Sequence, residues 1–175
     1  MELVCKMSGA ACIIGAVWLY AGERSHKMDM RLTHLMQLYN IFLQLKSELR
    51  YMSSTLPECF VGLSKHVSPP FDEWLKALSY EMEHERDKCF ADIWLDRLEW
   101  LEAESALNDS DIGLIAELKD KLGDADVDAS LKAIDYVLIR LEEGRVILKD
   151  ELQQKKKVIV SLSLFAGLIT VILLF

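Results

Sequence analysis

The stretch Asp126–Phe175, DVDASLKAIDYVLIRLEEGRVILKDELQQKKKVIVSLSLFAGLITVILLF, decides how the rest of the chain is read. From Val127 its apolar residues recur at Leu131, Ile134, Leu138, Leu141, Leu148 and Leu152, steps of three, four and seven that share one helix face. Such a face requires a packed partner. Lys155, Lys156 and Lys157 then form a basic collar, and from Val158 to Phe175 no charged residue occurs. The pattern predicts a helix that packs in protein, passes through the collar and continues into lipid. Asp126 or Asp128 is its expected start, and Gly144, which costs roughly 1 kcal/mol relative to Ala inside a helix, is where a bend is expected.

A second apolar segment stands near the other end. Met7 to Gly22 is bounded by Lys6 on one side and by Glu23, Arg24, His26 and Lys27 on the other. It is close to the shortest run that spans a hydrocarbon core of roughly 30 Å. A cleaved signal peptide is the rival reading, but the positive charge is heavier after the run than before it, and a cut after Ala21 leaves Leu19 where a small residue is needed. We expect an uncleaved span with Trp18 and Tyr20 as interface aromatics. Arg24, Lys27 and Arg31 follow the first span and Lys155, Lys156 and Lys157 precede the second, so the positive-inside bias places the intervening residues in the cytoplasm.

Between the two ends the chain reads as all-α. Three prolines and eight glycines in 175 residues allow few turns, and no β-branched run outside the ends reads as a strand. One helix is expected from Arg31 to about Met52, with Leu32, Leu35, Met36, Tyr39, Phe42, Leu43 and Leu49 as a broad stripe widened by Leu38 and Leu45. A short helix follows from Pro57, with Thr55 or Leu56 near its cap, and carries Cys59, Phe60 and Leu63. Ser68-Pro69-Pro70 is a firm break. A third helix runs from Phe71 through Trp74, Leu75 and Leu78 to Met82, and a fourth buries Phe90, Ile93, Trp94, Leu98 and Leu101. Asn108-Asp109-Ser110-Asp111 caps a fifth, Ile112 to Leu122, which Gly123 stops. The expected architecture is a six-helix bundle (23–157) flanked by an N-terminal (1–22) and a C-terminal (158–175) transmembrane helix.

Charge and motif content exclude several functions. The formal net charge is -8, with no basic patch of the kind that binds nucleic acid. Cys5, Cys12, Cys59 and Cys89 have neither zinc nor Cys-x-x-Cys spacing, which predicts free thiols. Glu81-x-x-His84 is a single copy of a step that di-iron bundles use twice, so it reads as a solvated helix end. No phosphate-binding glycine loop, nucleophile elbow or catalytic constellation is present, so no enzyme activity, cofactor or small-molecule substrate is expected. What remains are surfaces. Asp92, Asp96, Glu99 and Glu102 form an acidic face suited to a basic partner, with Glu81/Glu83/Glu85 and Asp109/Asp111 as further acidic candidates. Ser163, Ala166, Gly167 and Thr170 share one face of the last segment and suit close packing against another span.

Some of these residues also resemble a known family. The closing segment Ser161-Leu-Ser-Leu-Phe-Ala-Gly-Leu-Ile-Thr-Val-Ile-Leu-Leu-Phe175, the turn Leu122-Gly123-x-x-Asp126 with Ile134, Leu138, Leu141 and Glu142, and Leu45-x-x-Glu48-Leu49-x-Tyr51 resemble the stage III sporulation protein AB family over essentially the whole chain. The resemblance implies a helical bundle similar to the cytoplasmic domain of platform protein F of type II secretion and type IV pilus systems. It further implies a place in the channel complex between mother cell and forespore, in the outer forespore membrane, with the complex's cytoplasmic ATPase and its other membrane components as partners. A membrane-anchored sensor bundle is the alternative, and topology separates the two.

Overall fold

A computed structural model describes the backbone of residues 2–51, 55–85, 87–122 and 126–174, and the side chains of 27–51, 55–85, 87–122, 126–155, 157, 158 and 161. Six α-helices occur among the described residues: α1 (Glu2–Tyr51), α2 (Leu56–Ser64), α3 (Phe71–His84), α4 (Phe90–Glu104), α5 (Asp109–Ala116) and α6 (Val127–Leu174), with a 3-10 turn at Glu117–Asp120 after α5. The chain divides into two compact units. One joins Met1–Met30 to Leu148–Phe175, and the other is the bundle, Arg31–Ile147.

The six α-helices match the expected number, and the last runs on past the collar as expected, whereas the first begins at Glu2 rather than at Arg31 and is continuous with the N-terminal apolar segment. No proline lies in either α1 or α6, so nothing in either stretch removes an amide donor from the ladder. Gly144 does not interrupt α6, and a Cβ added there would meet nothing within 4 Å. Among the described residues no helix is long and apolar enough to cross a membrane. The side chains of both apolar ends, Trp18 and Tyr20 included, lie outside the described set.

The bundle core is built around aromatic residues. α2 packs on α3, α3 on α4, and α4 on both α5 and the 3-10 turn. Trp94 sits at the junction: its ring lies 5.3 Å from Trp74 on α3, 6.3 Å from Phe60 on α2 and 5.5 Å from Phe90 on its own helix. Its indole N–H donates to the Ile115 carbonyl at 3.1 Å, which fixes α5 against α4. Trp74 is equally buried, but its indole nitrogen has no acceptor among the described residues.

Caps appear where local chemistry demands them. Glu58 accepts the Thr55 amide at 2.8 Å, which holds its carboxyl below the usual range and closes the start of α2, with Pro57 in the first turn. Asn108 and Asp111 form a reciprocal box at α5: Asn108 Oδ1 accepts the Asp111 amide at 2.9 Å, and Asp111 Oδ2 accepts the Asn108 amide at 3.1 Å. Helix α5 ends earlier than expected and tightens into the 3-10 turn. Its expected stop, Gly123, lies outside the described residues.

The buried face of α6 contains Leu131, Ile134, Val137, Leu138 and Leu141. The stripe on α1 is rotated from expectation. Leu38 and Leu45, expected at its edge, are its centre with Leu35, Ile41 and Phe42, whereas Met36 and Leu43 stand 45% and 46% exposed. Apolar residues circle most of this helix, so periodicity alone does not choose the inward side.

The two tryptophans provide an internal control. Trp94→Phe takes the indole donor from the Ile115 carbonyl, which keeps the Glu117 amide, whereas Trp74→Phe removes a donor that has no described acceptor. In urea unfolding of the detergent-solubilised chain, Trp94→Phe is expected to cost about 1 to 2 kcal/mol more than Trp74→Phe. Equal losses would contradict the assigned role of the indole bond.

Candidate functional site

Helix α4 presents the acidic face as read from the sequence. Ile93, Trp94, Leu98 and Leu101 are buried, which turns Asp92, Asp96, Glu99 and Glu102 outward, all four exposed. The chain already occupies half of this face. Lys88 Nζ lies 3.2 Å from Asp96 and 3.3 Å from Glu85, bonds that raise the lysine pKa, and the Cys89 thiol donates to Asp92 Oδ2 at 3.1 Å. Glu99 and Glu102 have no ion pair among the described residues.

Two other carboxylates expected on docking faces are structural. Glu81 is buried and ion-paired with Arg97, joining α3 to α4. Asp111 is buried and chelated by Arg31, with Nε to Oδ2 at 2.8 Å and Nη2 to Oδ1 at 3.0 Å. Both carboxylates are held by guanidinium groups distant in sequence, so neither is free for a partner. His84, the other half of Glu81-x-x-His84, stacks on Tyr80 at 4.1 Å and bonds the Tyr80 carbonyl. Among the described residues no three metal-ligating side chains cluster.

The Arg31–Asp111 pair borders a groove of about 490 Å³ lined by residues of α1, α5, α6 and the 3-10 turn. Leu114, Tyr136 and Ile147 supply its apolar surface, Arg140 and Glu117 its charge, and Gly113 and Gly144 its open walls. Sequence reading missed this groove, because α1 and α5 meet through partners 80 residues apart and no local pattern reports such a meeting. Beside it, α1 and α6 are held in antiparallel register by Lys46 paired with Asp135 and by Arg145 lying 5.4 Å over the Tyr39 ring.

His34 links a loop to this framework. Its Nδ1 accepts the Ala106 amide at 2.9 Å, and its ring meets Phe71 edge-on at 5.4 Å. Burial pushes its pKa down. In the other unit, Lys155 and Lys157 of the collar are exposed, and Lys155 Nζ lies 3.0 Å from Met28 Sδ. The side chains of Lys156, Ser163, Ala166, Gly167 and Thr170 lie outside the described set.

A family model for stage III sporulation protein AB matches residues 6–175. The chain belongs to the stage III sporulation protein AB family. A solved structure titled "Stage III sporulation protein AB (SpoIIIAB)" matches with a TM-score of 0.65 at 19% identity, covering 71% of this chain and 97% of that one. At that identity it supports the fold alone. No curated protein matches the sequence. The family match extends into both apolar ends of this stage III sporulation protein AB relative, whereas the geometry above places the acidic face and the groove within the bundle.

His34 makes the bundle's stability depend on pH. An unfolded histidine titrates near 6.5 and folded His34 titrates lower, so between these values the unfolded state binds more protons. The stabilisation is fully present above about 6.5 and is lost as pH falls through the folded value. His34→Asn keeps an acceptor near Nδ1 but does not titrate. The stability advantage of the native chain over His34→Asn should therefore shrink between pH 7.5 and 5.5 in urea titrations, and a constant difference would contradict this.

Proposed function

We propose that this protein is a non-enzymatic membrane platform in the complex that joins mother cell and forespore during endospore formation. The observation that carries the reading is the family match over residues 6–175, which takes in the bundle together with both apolar ends. In this reading, residues 1–22 and 158–175 span the outer forespore membrane, and the bundle faces the mother-cell cytoplasm, the orientation favoured by Arg24, Lys27 and Arg31 after one apolar run and Lys155–Lys157 before the other. The likeness to platform protein F that the family resemblance implies supports a role as scaffold, with the complex's cytoplasmic ATPase bound by the bundle and its other membrane components bound by the spans.

Docking of the ATPase falls to the unpaired part of the acidic face. Glu99 and Glu102 are exposed and have no ion pair among the described residues, so a basic partner surface meets them without first displacing a lysine. The spans contact other membrane components through Ser163, Ala166, Gly167 and Thr170, small residues that permit close helix approach.

Two measurements test the reading. Cys89 is exposed and Cys59 buried, so in a Cys5→Ser/Cys12→Ser variant produced in vegetative cells, where the chain enters the plasma membrane whose outer face the reagent reaches, a membrane-impermeant maleimide should label the protein only after permeabilisation. Labelling in intact cells would place the bundle on the other side and favour a sensor. Charge reversal by Glu99→Arg with Glu102→Arg should change stability by less than about 0.5 kcal/mol and reduce co-purification of the ATPase at least tenfold. Unchanged recovery would remove this face from the interface.

A further inference from the structure

Within the bundle, α1 and α6 together expose an apolar strip. Lys46 and Asp135 pair across the seam between them, and four large side chains stand in step with that pair. Leu43 and Met36 lie three and ten residues before Lys46, and Ile139 and Val146 lie four and eleven residues after Asp135. In an antiparallel pair these steps put Leu43 level with Ile139 and Met36 level with Val146. Spacings of three, four and seven keep each residue on the side of its helix that carries the ion pair. All four are between 45% and 60% exposed.

This strip is electrically neutral in a chain whose formal net charge is -8. No Asp, Glu, Lys or Arg occurs from Thr33 to Leu45, and the exposed residue between Met36 and Leu43 on the same side is Asn40. Along α6 the acids at this level are each matched within the chain: Asp135 by Lys46, Glu142 by Arg145 at 2.6 Å and Glu143 by Arg140 at 2.8 Å. The strip therefore draws neither a cation nor an anion. Exposed apolar surface with charge excluded from its centre is the composition of an interface core. Its neutrality also selects the occupant. Two acidic copies repel over most of their surfaces, and in a two-fold contact the same patch lies on both sides, so copies meet at least cost where charge is cancelled. One further step of seven reaches Arg50 on α1 and Lys132 on α6, both exposed and without an ion pair among the described residues, and there the neutral strip ends.

We propose that this strip is the contact between two copies of the chain, related by a two-fold axis that runs along the seam. Rotation about such an axis lays α1 of one copy on α6 of the other, so Met36 and Leu43 meet the partner's Val146 and Ile139 at the levels they already share. Each half of the contact is then apolar against apolar. The direction of the axis rests on the membrane reading given above: Arg31 and Ile147 lie at one end of the bundle, and two copies held in one membrane keep those ends pointing the same way. The strip runs for about 15 Å along the seam, at the small end of specific interfaces, so the pair forms reversibly and depends on concentration.

The test uses the full-length chain in mild detergent, its mass followed against concentration by analytical ultracentrifugation. The native chain should pass from one copy to two per particle as it is concentrated. Leu43→Glu and Ile139→Glu should each weaken the pair about tenfold, since each buries an unmatched carboxylate in the contact, and Leu95→Glu at an exposed position of α4 should not. Lys132→Glu, which sets an acid against the partner's Arg50, should tighten the pair about threefold, a gain that a misfolded chain does not produce. The arrangement is read by co-expressing two differently tagged chains that lack the native cysteines, one with Met36→Cys and one with Val146→Cys, and an oxidised band carrying both tags is expected. A native chain that stays single at every concentration, a pair indifferent to Leu43→Glu and Ile139→Glu, or a Met36→Cys chain that cross-links in membranes to a different protein instead would overturn the proposal. A Met36→Cys chain that joins a Leu43→Cys chain rather than the Val146→Cys chain has its copies antiparallel, which defeats the axis and the single-membrane reading behind it, whereas the other failures leave that reading standing.

Discussion

One hydrogen bond, from the buried indole of Trp94 to the Ile115 carbonyl, constrains most of the bundle. To make it, α4 must turn Trp94 inward, and the same rotation brings Ile93, Leu98 and Leu101 into the core beside Phe60 and Trp74. The acidic residues between them then have only one place to go. The outward face formed by Asp92, Asp96, Glu99 and Glu102 is thus the geometric complement of an aromatic core, and its position is as rigid as the core is.

Polar contacts between distant segments set register where apolar contacts do not. Leucine surfaces on α1 and α6 can slide past each other by a turn at little cost, but Lys46 opposite Asp135 and Arg145 over Tyr39 fit at one offset only. Arg31 and Asp111 do the same for α1 and α5, and because Asp111 also accepts the Asn108 amide, one carboxylate both caps a helix and fixes where it docks. Pairs of this kind contribute less net stability than their Coulomb attraction suggests, since both ions lose water. Specification of a single arrangement is the larger effect here.

How much of this was legible in the sequence depends on the range of the cause. The α6 seam was readable because Leu131, Ile134, Leu138 and Leu141 repeat with the helix period, and the break before Phe71 because two adjacent prolines exclude helix. The capping of α2 and α5 was readable because Thr55 with Glu58 and Asn108 with Asp111 act within one turn. The burial of Glu81 and Asp111 was not, because their exposure is decided by Arg97 and Arg31, which no local rule brings near. The inward side of α1 failed for a different reason: with apolar residues on nearly every side, the choice among Met36, Leu38 and Leu43 is made by the neighbours. Of the proposed docking face, the residues were legible but their availability was not, since Lys88 and Cys89 occupy two of the four.

The antiparallel pairing of α1 with α6 determines how the bundle responds to force. Arg31 and Ile147 border the same groove, so the chain enters and leaves the bundle at one end. Tension applied at both points together falls first on that end, where Asp111 of α5 is clasped by Arg31, and the tryptophan pair on α3 and α4 does not border it. Tension on one point alone shears the seam and falls on the Arg31–Asp111 clasp and the Lys46–Asp135 pair. Where the two ends of the bundle emerge thus decides which contacts a load would meet first.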